Sequence, residues 1–397
     1  MSTLQADRSS RRSPPANLYP RFGLWRDLAS PREVFSHFGP NWFAAVMGTG
    51  IVANGAMLLP VHLHALRYFA LCFWAAATAL LAVFLVLTLL HWLHHPQVAR
   101  GHAFDTHAAQ FYGAPPMAFL TVGSATLLVG RYLLGLHAAV TVDWVLWTIG
   151  TVSGLISTFL VPYLMFTAHE VDIDHTLASW LVPVVPPMVS AATGAPLIAH
   201  VAASPQRTAF ILALFAMFGM SLFVTLVLFP LFWARLVYRG VGPAQTVPTI
   251  WIGLGPLGQS ITAANLIGAE AHKAIADPYA QGLKMMELLY GIPVFGFAVL
   301  WLAFAVAVTV RAARRHLPFT LGFWSFTFPV GTCVTGTSEL ALHTQLIELK
   351  VAAVAWFFLL LTGWLLAARG TAVGAWRGWV FLSPERQRHA QAEPSAA

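Results

Sequence analysis

The sequence has 397 residues, of which 58% are hydrophobic and only 9% are charged. An ordinary soluble domain has about a quarter of its residues charged, so the composition excludes a soluble globular protein and indicates a membrane protein. The formal net charge of +7 is explained by the membrane topology described below and does not require a nucleic-acid partner.

The first 34 residues form a polar, basic segment that contains proline and serine. This stretch lacks the apolar core of a cleaved signal peptide, and we interpret it as a flexible tail. Residues 35–370 form the predicted transmembrane domain, and residues 371–397 form a second, short tail.

Ten segments of the chain are long and apolar enough to cross a bilayer as helices, which need about 20 apolar residues each. None alternates with a period of two over such a length, so the strands of a transmembrane barrel are not indicated, and the predicted fold is all-α. Short connections make successive helices antiparallel and pair them as five helical hairpins. In chain order the segments are 41–60, 66–93, 108–130, 141–168, 176–200, 207–238, 247–269, 284–310, 318–343 and 350–368.

Lysine and arginine are distributed unequally between the two sides of this topology. With the N-terminus inside, sixteen of the 22 basic residues fall in inside segments and six fall outside. Because these residues concentrate in cytoplasmic loops, both termini are predicted to be cytoplasmic. The strongest single marker is the sequence RAARRH at residues 311–316, between the eighth and ninth segments.

Proline and glycine separate the odd-numbered segments from the even-numbered ones. The odd segments contain eleven prolines and the even segments three, and glycine follows the same pattern. A proline inside a helix removes a backbone hydrogen bond, and such breaks are tolerated in a membrane only inside the protein or along a watery path. The alternation therefore favours an inner ring of odd segments that lines a pore, surrounded by even segments. The alternative is that small residues only allow close helix packing.

The predicted pore-lining residues lie in the interruptions of the odd segments. They are Gly48, Thr49, Gly50, Gly113, Pro115, Pro116, Pro186, Pro187, Gly255, Pro256, Gly258, Gln259, Pro329, Gly331 and Thr332.

Charged residues are almost missing from the odd segments. Glu339 is the one carboxylate well inside any of them, and it is a candidate for proton coupling. A binding-type cation carrier would be expected to bury carboxylates along its route. Exposed amides and helix N-termini suit anions instead, so the pattern indicates a weakly binding anion path.

Histidine and cysteine raise the question of a metal or haem site. His91, His94 and His95 have a spacing that can bind a metal, but no acidic or cysteine ligand accompanies them, and interfacial residues are the favoured interpretation. Cys72 and Cys333 are too few and too far apart for a disulfide framework or a zinc motif. No catalytic constellation or phosphate-binding loop is visible, so neither an enzyme nor a cofactor is predicted.

Five motifs in order resemble the tellurite-resistance/dicarboxylate transporter family. They are PNWFAAVMGTGIVANG, YLMFTAHE, WLVPVVPPMVSAATG, GLGPLGQ and GFWSFTFPVGT, and the resemblance runs from about residue 35 to 369. The family includes slow-type anion channels, a malate permease and a sulfite efflux pump.

The resemblance implies ten helices in five hairpins, with odd helices around a central pore, and a homotrimer with one pore per subunit. In the channel members a phenylalanine just before the proline of the ninth helix plugs the pore, and the matching residue here is Phe328. Phe326 stands two positions earlier, about 200° round a regular helix, and is expected to face away from the pore.

The substrate remains open between small oxyanions of the sulfite type and C4-dicarboxylates. Three functions compete: a carrier for such anions, a passive anion channel of the chloride or nitrate type, and a membrane haem or metal redox protein. The expected location is the plasma (inner) membrane, where the lipid bilayer and a small anion are the expected partners.

Overall fold

The computed structural model describes residues 24–61, 63–173, 176–383 and 386–387. Within these ranges the regular secondary structure is helical, and no β-strand occurs. The all-α prediction is therefore confirmed for the described part of the chain. Of the two predicted tails, residues 1–23, 384–385 and 388–397 lie outside these ranges.

Thirteen α-helices follow one another through the described ranges, and several are extended by short 3-10 or π segments. They are α1 (Phe43–Leu58), α2 (His64–His94), α3 (Pro96–Phe104), α4 (Ala114–Ala125), α5 (Arg131–Leu134), α6 (Leu136–Thr167), α7 (Pro186–Gly194), α8 (Pro205–Arg239), α9 (Leu254–Ala274), α10 (Tyr279–Leu289), α11 (Gly291–Ala313), α12 (Phe328–Thr344) and α13 (Ile347–Arg377).

Six helices in the described ranges have the length and apolarity to cross a membrane. They comprise the five even segments and the third segment, and their mean hydropathy lies between 1.5 and 2.5. Helices α1, α7 and α12, which belong to odd segments, have only 16, 9 and 17 residues. The six helices are His64–His94, Ala109–Leu134, Leu136–Thr167, Pro205–Arg239, Tyr279–Ala313 and Ile347–Arg377.

The short helices of the odd segments are mostly buried, whereas the long helices of the even segments are buried at only a minority of their positions. The buried residues number 13 of 16 in α1, nine of nine in α7 and 14 of 17 in α12. In α2 and α13, only five and eight of 31 residues are buried. The exposed positions on the outer helices carry large apolar side chains, which suits contact with lipid.

The buried helices contact one another in a closed circuit. Helix α1 packs against α4, α4 against α7, α7 against α9, α9 against α12, and α12 against α1. Each of them also packs against the long helix that follows it in the sequence, as α1 does against α2 and α12 against α13. The protein core therefore lies within the odd segments.

Several prolines of the odd segments lie in the first turn of a helix. Pro115 and Pro116 lie in the first turn of α4, Pro186 and Pro187 in that of α7, and Pro329 in that of α12. At a helix start the N–H that proline lacks has no partner within the helix. A 3-10 segment precedes α4, α9 and α12, so these odd segments change from 3-10 to α geometry part of the way along.

The described terminal segments meet at one end of the molecule. The backbone N–H groups of Trp25 and Asp27 donate to the carbonyls of Trp376 and Arg377, at 2.8 and 3.0 Å. Helix α13 ends at Arg377, nine residues beyond the predicted span. Apolarity defines a membrane crossing, whereas backbone hydrogen bonding can continue beyond it, so the helix extends past the predicted crossing segment.

Candidate functional site

Two small cavities lie inside the circuit of buried helices, one toward the end that carries the terminal segments and one toward the opposite end. The far cavity is lined by Ile51, Asn54, Leu58, Thr121, Ser124, Leu127, Leu128, Val189, Ala192, Thr193, Pro196, Gln259, Thr262, Leu266, Phe328 and Thr335. The near cavity is lined by Ala44, Met47, Phe111, Ala114, Met117, Val182, Val185, Ile252, Gly255, Pro256, Trp324, Ser325, Phe328 and Pro329.

Both cavities draw their walls from all five odd segments. Their volumes are about 70 Å³ for the far cavity and about 40 Å³ for the near cavity. A single water molecule needs at least about 10–15 Å³ on this measure. Each cavity therefore has room for a few water molecules or one small ion.

Phe328 belongs to the walls of both cavities. Its side chain is 3% exposed, and it is the first residue of α12. The preceding residue, Thr327, has φ −103° and ψ −79° and separates the 3-10 helix Leu321–Phe326 from α12, and its hydroxyl donates to the carbonyl of Trp324 at 2.6 Å. The start of α12 thus places an aromatic side chain between two cavities.

Phe326 has a different environment, although it is only two residues away. It ends a 3-10 helix, Leu321–Phe326, and its ring makes edge contacts with Trp251 and Phe323 at centroid distances of 5.1 and 5.2 Å. The two phenylalanines therefore do not share one regular helix, and the assumption behind the 200° rotation does not apply. Phe326 ends the 3-10 helix and Phe328 begins α12, and this gives them different environments.

The walls of the two cavities differ in polarity. The lining residues, all within the described ranges, include no Asp, Glu, Lys or Arg. Ser325 and the Trp324 indole are the polar side chains of the near cavity. The far cavity has seven neutral polar side chains, which are Asn54, Thr121, Ser124, Thr193, Gln259, Thr262 and Thr335.

Five of the residues singled out in the sequence lie in these walls. Gly255, Pro256 and Pro329 line the near cavity, Gln259 lines the far cavity, and Phe328 lines both. All five come from the two motifs GLGPLGQ and FTFPVGT, which α9 and α12 bring together, and Gln259 ends the first of these.

The other predicted glycines lie at close contacts between helices. A Cβ on Gly258 would collide with the backbone of Thr332 and Cys333, and one on Gly331 would lie 2.6 Å from a methyl of Ile51. Gly48 faces Thr327 and Trp324, Gly50 faces Thr121, and Gly113 faces the carbonyl of Val182.

The remaining predicted residues also contact neighbouring segments. Pro116 and Pro186 pack on α6, beside Gly150 and Gly154, and Pro115 and Pro187 are their immediate neighbours in the sequence. The Thr49 hydroxyl accepts from the Trp364 indole N–H at 3.1 Å. The Thr332 hydroxyl is 3.1 Å from the carbonyl of Gly255.

Glu339 lies in a second polar group toward the far end. It follows Thr335 by one turn on α12, is 5% exposed, and interacts electrostatically with Glu287 of α10. Glu287 is 3% exposed, and one of its oxygens is 3.2 Å from His343 Nδ1. The same nitrogen is 2.9 Å from Asn265 Oδ1.

Sequence reasoning missed Glu287, His343 and a further acid, Asp143. Asp143 on α6 is completely buried against Gly123 of α4, and its oxygens have no hydrogen-bond partner among the described residues. The sequence does place both acids inside predicted even segments. The search for pore residues was confined to the odd segments and so did not include them.

The histidines of the near end do not converge as metal ligands. His91 Nδ1 donates to the carbonyl of Phe35 at 2.8 Å, and His94 Nδ1 donates to that of Leu90 at 2.9 Å. Among the described residues, no group of three His, Cys, Asp or Glu side chains has an arrangement that could hold a metal ion.

Comparison with known proteins gives a consistent picture. Residues 37–372 match the sequence model of the voltage-dependent anion channel family. The chain is 26% identical to an uncharacterized transporter of Methanocaldococcus jannaschii, over 78% of this chain and 85% of that one. It is 25% identical to a sulfite efflux pump of Arthroderma otae, over 77% and 82%. It is 20% identical to a malic acid transport protein of Schizosaccharomyces pombe, over 77% and 70%.

Proposed function

The chain belongs to the voltage-dependent anion channel family, and on that premise we propose that this multi-pass membrane protein carries small anions along a path inside each chain. The relatives include a sulfite efflux pump and a malic acid transport protein. Oxyanions of the sulfite type and C4-dicarboxylates are therefore the proposed substrates.

The proposed path runs through the two cavities and between the odd segments. In this proposal all ten segments cross the membrane as five hairpins, with the odd ones inside. The closed circuit of contacts among α1, α4, α7, α9 and α12 supports this arrangement. The apolar, exposed surfaces of the outer helices support a lipid-facing ring.

Phe328 is the proposed gate of this path. The observation that carries the proposal is its position in the walls of both the near and the far cavity. A hydrophobic constriction between two hydrated spaces stops ions, because an ion cannot replace its hydration shell there. Rotation of this one side chain would join the cavities.

Neutral walls favour permeation of an anion with weak binding. No lining residue of either cavity carries a charge, so an anion is not trapped by a fixed cation. Weak binding is what conduction requires, since an ion must leave as readily as it enters. A passive channel for chloride or nitrate is the second candidate function, and these neutral walls are the observation that favours it.

Glu339 is the proposed site of proton coupling in the carrier form of this function. It lies one turn beyond Thr335, which lines the far cavity, and it interacts with the buried Glu287. Buried acids without a basic partner are held at lower cost in the protonated form. A proton taken up there would accompany the anion.

Assembly and orientation follow from the resemblance and from the basic residues. We propose a homotrimer with one path per subunit, in the plasma (inner) membrane, with both termini cytoplasmic. The meeting of the described terminal segments at one end supports a common side for the termini. Chemical crosslinking in membranes and protease accessibility of the terminal segments from each side test these points.

The decisive experiment is a flux measurement with purified protein in liposomes. Sulfite, malate, nitrate and chloride are compared side by side, each with and without a pH gradient. Flux of at least one oxyanion above protein-free liposomes is expected. Absence of flux for all four anions from folded protein would contradict the proposed function, whereas large unitary currents carried by chloride or nitrate would favour the channel.

A further inference from the structure

The far cavity contains two buried carboxamides that the protein leaves incompletely bonded. Gln259 is 4% exposed, and its side-chain amide has no hydrogen-bond partner among the described residues. Asn54 is equally buried, its NH2 group is 3.3 Å from the carbonyl of Thr121, and its Oδ1 atom has no partner. Because buried polar groups are normally paired, both amides are poised for a ligand.

The threonine hydroxyls of the same wall already use their protons. Those of Thr121 and Thr193 donate to carbonyls of their own helices at 2.6 and 2.9 Å. Thr262 and Thr335 bond each other at 2.7 Å and also lie 3.0 Å from carbonyls of their own helices. The groups with N–H or O–H donors left for an anion are therefore Gln259, Ser124 and the second N–H of Asn54.

We propose that the far cavity binds a small, singly protonated oxyanion, such as hydrogen sulfite, through Gln259 and Asn54. The Gln259 NH2 group donates to a negatively charged oxygen of the ligand. The ligand O–H donates to Asn54 Oδ1, which supplies the partner that this atom lacks. This inference rests on the proposed function and identifies the substrate class of its path.

The pairing discriminates between kinds of anion. A halide can accept from Gln259, but it has no proton to donate, so Asn54 Oδ1 stays unpaired when a halide is bound. A site built to bond a ligand O–H rejects analogues that lack it, because its own polar group is then left without a partner. Selectivity between oxyanions and halides thus resides in Asn54. Gln259 binds both kinds of anion, and Phe328 controls the passage of all anions alike.

The test compares sulfite flux with chloride flux in liposomes at a pH where hydrogen sulfite is present. Asn54→Leu and Gln259→Met keep the size of each side chain and remove its hydrogen bonds. We expect the ratio of sulfite to chloride flux to fall about fivefold in Asn54→Leu, as for the loss of one buried hydrogen bond. Gln259→Met removes a donor that both anions use, so both fluxes are expected to fall while the ratio changes little. Phe328→Ala is expected to raise both fluxes without changing the ratio.

A matched control lies outside both cavities. Thr225 on α8 is buried, and its hydroxyl also lacks a partner, so Thr225→Val removes a similar atom away from the path and should keep the wild-type ratio. An unchanged ratio in folded Asn54→Leu, or wild-type flux of both anions in Gln259→Met, would overturn this inference alone. Wild-type protein without flux would overturn the proposed function. If Asn54→Leu does not fold, the ratio is measured in Asn54→Ala.

Discussion

Phe328 lines both cavities of the protein, whereas Phe326, two residues earlier, packs edge-on against Trp251 outside them. The change from 3-10 helix to α-helix at Thr327 accounts for this difference, since each phenylalanine belongs to a different helical segment. Phe328 is therefore the candidate gate, and Phe326, in the same motif, is a structural control for it.

Substituting Phe328 by alanine is expected to increase anion flux. The change removes the side chain between the cavities and leaves one continuous space. We expect an increase of at least about tenfold, which corresponds to a barrier lowered by about 1.4 kcal/mol. Flux of sulfite and chloride into liposomes measures it, and unchanged flux from folded protein would show that Phe328 is not the gate.

The control for this prediction is Phe326→Leu. The substitution loosens a contact with Trp251 and Phe323, so it should lower stability by about 1 kcal/mol. Flux per folded protein should stay at the wild-type level. An increase equal to that of Phe328→Ala would indicate general loosening of this region and would argue against a single gate.

Substitution of Gly258 by alanine is expected to destabilise the protein, whereas the same substitution at Gly255 is not. A Cβ on Gly258 would lie 2.7 Å from the carbonyl oxygen of Thr332 and closer still to the nitrogen of Cys333, whereas one on Gly255 would lie 3.8 Å from Pro329. Gly258→Ala must therefore separate α9 from α12, at a cost of about 3 kcal/mol. Gly255→Ala needs no such movement.

Thermal unfolding in detergent checks this pair of glycine variants. We expect a lower midpoint and less folded protein for Gly258→Ala, and values near the wild type for Gly255→Ala. Equal midpoints for the two variants would mean that the contact between α9 and α12 yields more easily than the structure implies.

The division into buried and peripheral helices was predictable from the sequence, because lipid exposure and helix breaking act on composition directly. Uniform apolar runs such as residues 69–92 can face lipid, whereas segments interrupted by proline need protein on all sides. The role of individual glycines was not predictable. Gly258 and Gly255 differ only in what α12 places opposite them, and the sequence of α9 does not contain that information.

The amides of the far cavity illustrate the same limit. Gln259 was singled out because it ends the motif GLGPLGQ, but Asn54 and Ser124 were not, since single polar residues in apolar helices carry no pattern. Their importance comes from the circuit of helices, which brings α1, α4 and α9 to one cavity. Only three-dimensional proximity distinguishes them from other polar residues.

Glu339→Gln is expected to abolish the dependence of anion uptake on a pH gradient. Glutamine keeps the shape of the side chain but cannot bind a proton, so uptake should continue at a rate that no longer responds to the gradient. Glu348→Gln is the control, because Glu348 lies exposed at the start of α13. Persistence of the wild-type pH response in Glu339→Gln would remove this residue from the coupling mechanism.

From the histidines at the end that carries the terminal segments, His37 and His102, we expect the stability of the protein to fall as the pH is lowered. The ring of His102 stacks on that of His91 at a centroid distance of 5.3 Å. Burial, followed by the charge of His91, lowers the pKa of His102 from its ordinary value of 6.5, although Asp105 opposes this. Burial, followed by His95, likewise lowers the pKa of His37, with Glu33 opposing and Arg386 assisting.

A lowered pKa in the folded protein means that the unfolded chain binds more protons once the pH falls below about 6.5. The free energy of unfolding should therefore be constant above that pH and decrease from pH 6.5 downward, until the folded-state pKa values are passed. Thermal midpoints in detergent at pH 7.5 and pH 5.5 measure the decrease. His102→Gln removes one of the two groups, so a smaller drop than in the wild type is expected. Glutamine cannot be protonated, so it removes any contribution of His102 to the pH dependence. A decrease in thermal midpoint equal to that of the wild type would therefore show that His102 does not contribute.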